Sequence, residues 1–539
     1  MFRANATHVQ QSLLESTQWM NPKIREKLYK SWAPVFYEHV FCKIDEDPFA
    51  VLYGTTGKPN FPVNIMLSLE YIKHMKNCSD IEIIDNFHFD YLVNYATGQR
   101  TLGETNLAER TLYYFRERVY RYCRENPGED DLLFGQFIRL LHGFAGKAGI
   151  ALGEQRVDTT LFMSNIKKAG RMSLAYDVLV KAVNAIPENE RSEALAKALD
   201  PDFRINVLYR AKAQECDTKL AILLNLCQEA LSLLTSIPAS AAEAKLVRRF
   251  LAEQAVVDAE SGNLMQKSRK DISPSSLQSA HDEEATFRRK GNVTQSGYVL
   301  EIAETCDQAN PFQLLTDYTV APNNTSDVTI LESRLETIRT NTGCTDMYAD
   351  GGFHSVGVHR IAEENDIEIH LTNMTGKAPT KIATTEFAID EASNVITRCP
   401  KGHIPTRAGV SKGQTSAHFP HTACENCELR DRCYMLQQAK DCVVRISLKA
   451  VNAGRERAKM QSAQKENTKK RAGIEGSNSA LKRTGLDKLG VRGIVKSTVV
   501  CGLKVTAQNI KRLIKYLQGG YQPKHAQPPL QGIPMPILG

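Results

Sequence analysis

The hydrophobic positions along this chain follow two different periods. In the first part of the chain, and again after residue 173, apolar residues recur every three to four positions, as in amphipathic helices. One such helix opens near Asn106, a good N-cap residue, and runs to about Cys123. Another starts after Ser79. These periods predict helices on both sides of a short apolar run.

That run and the residues after Gly297 have the pattern of strands. Residues 150–158 predict a buried strand that ends at Asp158. From Gly297 onward, alternating and short apolar runs predict two strands, a helix from Asp327, a strand, a helix and a strand that ends near Leu371. This order predicts a mixed α/β sheet with helices.

The pattern divides the chain into seven segments. They are a helical N-terminal domain at 1–149, the first part of an α/β core at 150–172, a helical insertion at 173–267, the core continued at 280–397, a cysteine-rich insertion at 398–442, basic helices at 443–518 and a flexible tail at 519–539. Arginines on the N-terminal helices suit DNA binding through a helix-turn-helix. Periodicity alone fits a helical bundle of another purpose equally well.

Composition narrows the class of protein. The 539 residues are 42% apolar and 24% charged, as in globular proteins, and no run approaches the roughly 18 apolar residues of a membrane span. The N-terminus lacks a secretory apolar core, so we expect a cytoplasmic protein whose 13 cysteines do not form a disulfide framework. In a reducing compartment, clustered cysteines more often indicate a metal site.

The charge is unevenly distributed. The net charge is +7, yet residues 443–515 hold 18 Lys/Arg against 4 Asp/Glu, so the remainder is acidic. A basic segment of this kind indicates a polyanion partner such as DNA. A solvated, Lys-rich helical surface would have the same composition.

Three acidic residues stand in distinctive settings. Asp158 lies in Arg-Val-Asp-Thr-Thr, Asp350 follows Met-Tyr-Ala and precedes Gly-Gly-Phe-His, and Glu475 lies in a helical stretch. Two strand-end aspartates and a helical glutamate can hold two Mg²⁺ or Mn²⁺ ions for phosphoryl transfer. The alternative interpretation is purely structural: Asp350 would belong to an ordinary Asp-Gly-Gly turn, and Asp158 would cap the segment after it.

The helix around Glu475 adds a check on geometry. We expect it to start near Asn467, with Gly485 as its C′ residue. At 100° per residue, Arg471, Glu475, Asn478 and Lys482 lie at about 0°, 40°, −20° and 20°. The four residues therefore share one face of the helix, which suits a metal ligand beside bound DNA phosphates. An exposed face on which Arg471 and Glu475 form an i,i+4 ion pair would have the same spacing.

The cysteines cluster near residue 400 and beyond. Cys424 and Cys427 form a Cys-x-x-Cys pair, Cys433 follows, and Cys399 begins Cys-Pro-Lys-Gly-His. Four thiolates in two limbs predict a tetrahedral, structural Zn²⁺ site, with His403 as an alternative ligand. Isolated cysteines such as Cys442 are interpreted as buried free thiols, and His418 and His421 as minor candidates.

Taken together, these motifs resemble bacterial insertion-sequence transposases of the DDE type, most closely the group called eleven-eighty-two, over most of the chain. The resemblance rests on Glu109-Arg110-Thr111-Leu112, Asp158-Thr159-Thr160, residues 282–290, Tyr348-Ala349-Asp350-Gly351-Gly352-Phe353 and the cysteine motifs. Arg471, Glu475 and Lys482 keep the spacing of a Tyr-Arg-Glu-Lys signature found in related hairpin-forming enzymes. Thr468 stands at the position of the tyrosine of that signature, so the resemblance does not imply a hairpin intermediate or any other route of second-strand cleavage.

The resemblance implies an RNase H-like core with Asp158, Asp350 and Glu475 as metal ligands. It also implies binding of transposon ends and target DNA by a synaptic homodimer in the bacterial cytoplasm, close to the nucleoid. Arg471, Lys482 and Asn478 would contact that DNA. The rivals are a nuclease that cuts without joining, a transposase-derived regulator without catalysis, and a zinc-dependent RNA-binding protein, which the lack of an aromatic-rich β face disfavours.

Overall fold

The computed structural model describes residues 1–6, 15–128, 131–258, 262–290, 293–372 and 380–520. The predicted tail at 519–539 therefore lies, from residue 521 on, outside the described residues. The chain divides into two compact units, Met1–Gly343 with Ile474–Gly539, and Cys344–Gly473. Each unit is described below by itself.

The first unit begins with helices. They are α1 (Pro22–Tyr29), α2 (Trp32–His39), α3 (Val63–Lys76), α4 (Asp80–Phe89), α5 (Tyr91–Ala96), α6 (Glu109–Glu125) and α7 (Leu132–Ala148). Ser79 caps α4 in a reciprocal capping box, as its position predicts. The expected cap of α6 at Asn106 is wrong, because Ala108 is the N-cap. The Leu107 N–H donates to His88 Nε2 at 3.0 Å, and this keeps the backbone extended until Glu109.

The region after the first strand, β1 (Glu154–Phe162), is helical, as predicted. It contains α8 (Arg171–Asn184), α9 (Glu193–Lys197), α10 (Pro201–Arg204), α11 (Cys216–Leu234) and α12 (Ala241–Gln254), followed by the short hairpin β2 (Ala255–Val257) and β3 (Leu264–Gln266). These helices bury an apolar core of their own, in which Leu179, Leu223 and Phe250 are almost fully buried. The insertion can therefore stabilise itself through this core.

The sheet of the first unit is antiparallel. It adds β4 (Thr286–Lys290), β5 (Val293–Thr305) and β6 (Leu315–Pro322), and is followed by α13 (Asp327–Thr342) and, near the C-terminus, α17 (Ile494–Leu517). The long strand β5 pairs with β1, β4 and β6. Asp158 lies in the middle of β1, so the expectation that the strand ends there is wrong. The strand continues because residues 159–162, two threonines, Leu161 and Phe162, pair with residues 298–301 of β5.

Glu301 on β5 is a buried carboxyl in this sheet. It is 2% exposed, and neither side-chain oxygen has a hydrogen-bond partner among the residues that the structure describes. Burial, followed by the nearby Asp317, raises the pKa of Glu301 well above its ordinary value of 4.5. Burial therefore favours the protonated, neutral form of this side chain in the native protein.

We expect Glu301→Gln to remove a pH dependence of stability. The native wild type keeps a proton that the unfolded chain loses above pH 4.5, so wild-type stability falls as pH rises from there to the native pKa. As the pH rises above 4.5 toward the native pKa, the urea midpoint of the variant should gain on that of the wild type. The unfolding free energy of the wild type should fall relative to that of the variant by about 1.4 kcal/mol for each pH unit in this window. The exposed Glu336→Gln is the matched control, and parallel profiles for all three proteins would contradict the prediction.

The second unit starts with a parallel strand pair. It consists of β7 (Asp346–Ala349), α14 (Val356–Glu364) and β8 (Glu368–Leu371), and its order of strand, helix and strand is the predicted one. The cysteine-rich segment adds small antiparallel sheets. Its elements are β9 (Ala388–Ile389), β10 (Ile396–Arg398), β11 (Arg407–Ser411), β12 (Gln414–Phe419), α15 (His421–Cys424), β13 (Met435–Gln437) and β14 (Cys442–Ser447).

The helix that carries Glu475 is longer than expected. This helix, α16 (Leu448–Leu481), starts directly after β14 rather than near Asn467. Ser447 Oγ accepts the N–H of Ala450, so the first turn is capped at that point. Gly485, just beyond α16, has a φ of 83°, which agrees with its expected role where the helix stops. Within the described residues, no helix combines the length and the apolar character needed to cross a bilayer.

Candidate active site and cysteine cluster

In the first unit, Asp158 faces the last part of α16. Asn478 Nδ2 donates to Asp158 Oδ2 at 3.0 Å. Asn478 is 8% exposed, whereas Glu475, three residues earlier on the same side of the helix, is exposed. The structure thus brings Asp158 together with Asn478, one of the four residues predicted to share a helix face.

A buried ionic cluster fixes this part of α16 against the sheet. Glu304 of β5 accepts from Arg156 Nε at 2.7 Å, from Arg512 Nη1 at 2.7 Å and from the Ser477 hydroxyl. Burial would raise the pKa of Glu304, but Arg512 and Arg156 outweigh burial and lower it. The cluster therefore joins β1, two residues before Asp158, to α16, one residue before Asn478.

The sequence alone does not predict this cluster. Its signal was Glu304, a carboxylate in the strand pattern after Gly297, but its partners Ser477 and Arg512 are 173 and 208 residues away along the chain. A buried carboxylate stays ionised only when it is paired, so Glu304 needs a cation from elsewhere in the chain, whereas Glu301 of the same strand has no hydrogen-bonded cation among the described residues. No local pattern identifies which cation this is.

In the second unit, Asp350 follows β7 and caps the next turn. Its Oδ1 accepts the N–H of Gly352 at 2.7 Å, so the turn interpretation of Asp-Gly-Gly is correct for the backbone. Its Oδ2 lies 3.5 Å from Arg471 Nη2, and the Asp350 side chain is 37% exposed. Asp350 is thus paired with Arg471, another residue of the predicted helix face, and its side chain is still accessible to solvent.

The first part of α16 packs against the parallel strands of this unit. Asn467 Nδ2 donates to the carbonyl of Leu371 at 3.1 Å, and Lys470 Nζ donates to the Tyr348 hydroxyl at 2.9 Å. These contacts set the rotation of the helix and so direct Arg471 toward Asp350. Lys482, beyond the end of α16, lies 3.3 Å from Asp487 and its side chain is 40% exposed.

The surroundings of Asp158 fit a hydrated divalent cation. Asn478 Oδ1 is buried and has no hydrogen-bond partner among the described residues. An unsatisfied buried acceptor costs about 1–3 kcal/mol, so such atoms in folded proteins call for an explanation. A carboxylate next to an unused acceptor is the donor set that Mg²⁺ and its waters prefer.

A second group of ligand-type side chains lies on β7 and β8. The ligand atoms of Asp346, Glu368 and His370 lie within 4.8 Å of one another. The sequence alone does not predict this group, although the register of two parallel strands places Asp346 opposite Glu368. Burial would raise the pKa of Asp346, but His370, whose Nε2 is 2.8 Å away, outweighs burial and lowers it, with smaller contributions from Thr345 and Lys470. The ion pair with His370 accounts for the position of the Asp346 carboxylate.

The predicted zinc ligands all lie in the second unit. Cys399 follows β10 in a tight turn that its carbonyl closes with the N–H of Gly402 at 2.8 Å. Cys424 ends α15, and Cys399, Cys424 and Cys433 pack against one apolar cluster. The exposed His403 contributes its carbonyl to the N–H of Cys399 at 3.0 Å. The turn that holds Cys399 thus does not use the His403 ring.

The thiols of this segment influence each other. Burial, and then Cys442, Cys433 and Cys399, raise the pKa of Cys424 to about 12. Burial raises the pKa of Cys433 too, with Cys427 contributing. Among the described residues, no three of these sulfur atoms lie within 4.8 Å of one another, so a zinc ion would have to draw them closer.

Cys442 is an additional member of this neighbourhood. Its isolated position in the sequence predicts a buried free thiol, and Cys442 is 3% exposed. Its Sγ is 3.7 Å from His421 Nδ1, and it lies next to Cys424. His418, by contrast, is held by Asp441 at 2.7 Å. The signal available in the sequence was the short apolar run that begins at Cys442, where the structure has β14.

The comparisons with known proteins agree with part of this description. Residues 398–514 match the family model described as a transposase DDE domain. The match covers the cysteine-rich segment and α16 with Glu475. No curated protein and no solved structure gave a match. The family match supports a DDE transposase, and the described strands and helices fit an RNase H-like core.

Proposed function

We propose that this protein is a transposase that binds the ends of an insertion sequence and catalyses metal-dependent DNA strand cleavage and strand transfer. The observation that carries the proposal is the family match over residues 398–514, which contains Glu475. The hydrogen bond between Asn478 and Asp158 in the first unit, and the ion pair of Arg471 with Asp350 in the second, support it.

In this proposal Asp158, Asp350 and Glu475 are the metal ligands. Two bound Mg²⁺ or Mn²⁺ ions would supply charge stabilisation for the attacking and the leaving oxygen of the phosphodiester. Asn478 holds one oxygen of Asp158, and the Glu304 cluster keeps α16 in register with β1. Asp350 keeps one carboxylate oxygen on its own turn, so its other oxygen is the one directed outward.

The basic side chains near these carboxylates are assigned to the DNA. Arg471 beside Asp350 and the half-exposed Lys482 would contact backbone phosphates, which attract cations regardless of sequence. Water would cleave the 3′ end of the element, and the freed 3′-OH would then attack a target phosphodiester and displace a target 3′-OH. End binding by the N-terminal helices and a synaptic homodimer complete the proposal.

We further propose that Cys399, Cys424, Cys427 and Cys433 hold a structural Zn²⁺ ion. Their thiols are neighbours in a segment with few apolar residues, and thiolates are the ligands that zinc prefers. The alternative ligand His403 is exposed and lies in the turn of Cys399. Such an ion would stabilise the segment without taking part in cleavage.

The test is a cleavage and strand-transfer assay with the full chain, Mg²⁺ and labelled duplexes carrying the DNA that flanks its gene. Nicking at defined ends followed by joined product would establish a transposase. Nicking without joining would favour the nuclease. Specific end binding without cleavage under Mg²⁺ and Mn²⁺ would favour a regulator without catalysis. A mixture of duplexes without the element's ends is the control.

A further inference from the structure

The unsatisfied oxygen of Asn478 has a fixed direction. A carboxylate only accepts hydrogen bonds, so the Asn478 nitrogen must face Asp158 and the oxygen must face away. That oxygen is buried and has no partner in the part of the chain that the structure describes. Turning the amide over would place two acceptors against each other. The orphaned acceptor is therefore a consequence of the hydrogen bond to Asp158.

Contacts of the neighbouring residue Ser477 also fix the position of the Asn478 side chain. Ser477, its neighbour on α16, donates to Glu304, and Arg512 Nη2 donates to the Ser477 hydroxyl at 2.5 Å. Glu304 is 1% exposed and bound to two arginines, so α16 cannot rotate without breaking a buried charged cluster. Asn478 thus keeps its oxygen buried, unpaired and turned away from Asp158 at a free-energy cost, which indicates a ligand that pairs with this oxygen.

We propose that Asn478 is part of the metal site and accepts a hydrogen bond from a water molecule bound to the divalent cation that Asp158 holds. This inference rests on the proposed function. Mg²⁺ keeps several of its waters, and these waters only donate when they are bound to the ion. A neutral acceptor pairs with such a water without adding charge. Glu475 lies on the same side of the helix and would hold the ion with Asp158.

The same chemistry argues against a DNA contact for this residue. Phosphate oxygens only accept hydrogen bonds, and one of the two N–H donors of the buried Asn478 amide already serves Asp158. Its free acceptor would repel a phosphate. Arg471 and Lys482 carry the donors that a phosphate needs, so the expected DNA role of this helix face belongs to those two residues.

The test compares Asn478→Leu with Ser479→Ala in the full chain, using Mn²⁺ alone as the probe. Leucine has a similar size but cannot accept a hydrogen bond, and Ser479 is an exposed neighbour on α16. Free Mn²⁺ is followed by electron paramagnetic resonance, and the urea midpoint is measured without metal. We expect Asn478→Leu to weaken Mn²⁺ binding about 10- to 100-fold with little loss of metal-free stability. Asn478→Gln, which keeps an amide donor and a neutral acceptor, should retain more Mn²⁺ binding than Asn478→Leu.

The outcomes separate this inference from the proposed function. If wild type and Ser479→Ala bind Mn²⁺ and Asn478→Leu binds it equally well, Asn478 is not part of the site, and the proposed function stands. If Asn478→Leu loses stability and Mn²⁺ affinity together, and Asn478→Gln retains neither, the role of Asn478 is structural and the inference is wrong. If wild type binds Mn²⁺ no better than Asp158→Asn, the proposed metal site itself is wrong.

Discussion

Nicking of the element's ends is expected to fall by about a thousandfold or more in Asp158→Asn, while binding to end DNA persists. The amide has the size of the carboxylate but lacks the charge that would hold a divalent cation. The same result is expected for Asp350→Asn and Glu475→Gln. Gel assays of nicking and of end binding on the same labelled duplex check both halves of the prediction.

Asp346→Asn is the matched control for this series. Asp346 lies on β7, four residues before Asp350, and pairs with His370. Its substitution should leave nicking intact if ion pairing is its only role. Retained Mg²⁺-dependent nicking in Asp158→Asn, Asp350→Asn or Glu475→Gln would remove that residue from the ligand set. Loss of nicking in Asp346→Asn with full activity of Asp350→Asn would move the metal site to the group on β7 and β8.

The second large effect concerns the cysteine-rich segment. We expect the purified wild type to contain about one zinc ion per chain, and Cys399→Ser or Cys433→Ser to contain little. The apparent binding free energy of a structural zinc site is of the order of 10 kcal/mol, so its loss should unfold this segment. Zinc content by mass spectrometry and the rate of proteolysis within residues 398–442 are the measurements.

Two further variants define this site more closely. Cys216→Ser changes a thiol of the first unit, at the start of α11, and should leave zinc content and proteolysis unchanged. Cys442→Ser tests whether the buried neighbour of Cys424 and His421 contributes a ligand. Wild-type protein without zinc, and with the same proteolysis rate as Cys433→Ser, would contradict the zinc prediction.

Much of the fold could be predicted because it depends on neighbouring residues. The capping box at Ser79 and Glu82 and the apolar periodicity of α13 each depend on residues a few positions apart, so both can be recognised in the sequence. The order of strands and helices from β5 to β8 followed from the same kind of signal. The positive φ of Gly485 also agrees with a local rule.

The position of Asp158 within β1 was harder to predict. Residues after Asp158 remain in the strand because β5, some 140 residues later in the chain, offers them partners. The cap of α6 depends on His88, 19 residues earlier, and the start of α16 depends on β14. The errors at β1 and α6 arose where a contact with a residue distant in the chain overrode a local preference. The error at α16 arose at a local side-chain cap, because Ser447 caps the helix directly after β14.

The candidate site likewise combines residues that the sequence identifies with residues that it does not. Its carboxylates were recognisable by their surroundings in the sequence, whereas the partners that orient them were not. Asn478 was singled out for its place on a helix face, but a helical wheel gives neither its burial nor its hydrogen bond to Asp158. Glu304 and Arg512 were not singled out at all. Orientation of the candidate ligands is a tertiary property that single-element patterns do not contain.

The hydrogen bond between Asp158 and Asn478 spans 320 residues of the chain, and this separation has a consequence during synthesis. A ribosome that adds about 5–20 residues per second needs roughly 16–64 s to travel from one residue to the other. Throughout that interval the nascent protein has Asp158 without Asn478, and for most of it without any residue of α16. A chain that stops early, through a frameshift or a broken message, would keep its N-terminal helices and lack Glu475. Such truncated products would occupy DNA, if those helices bind it, and would not cut.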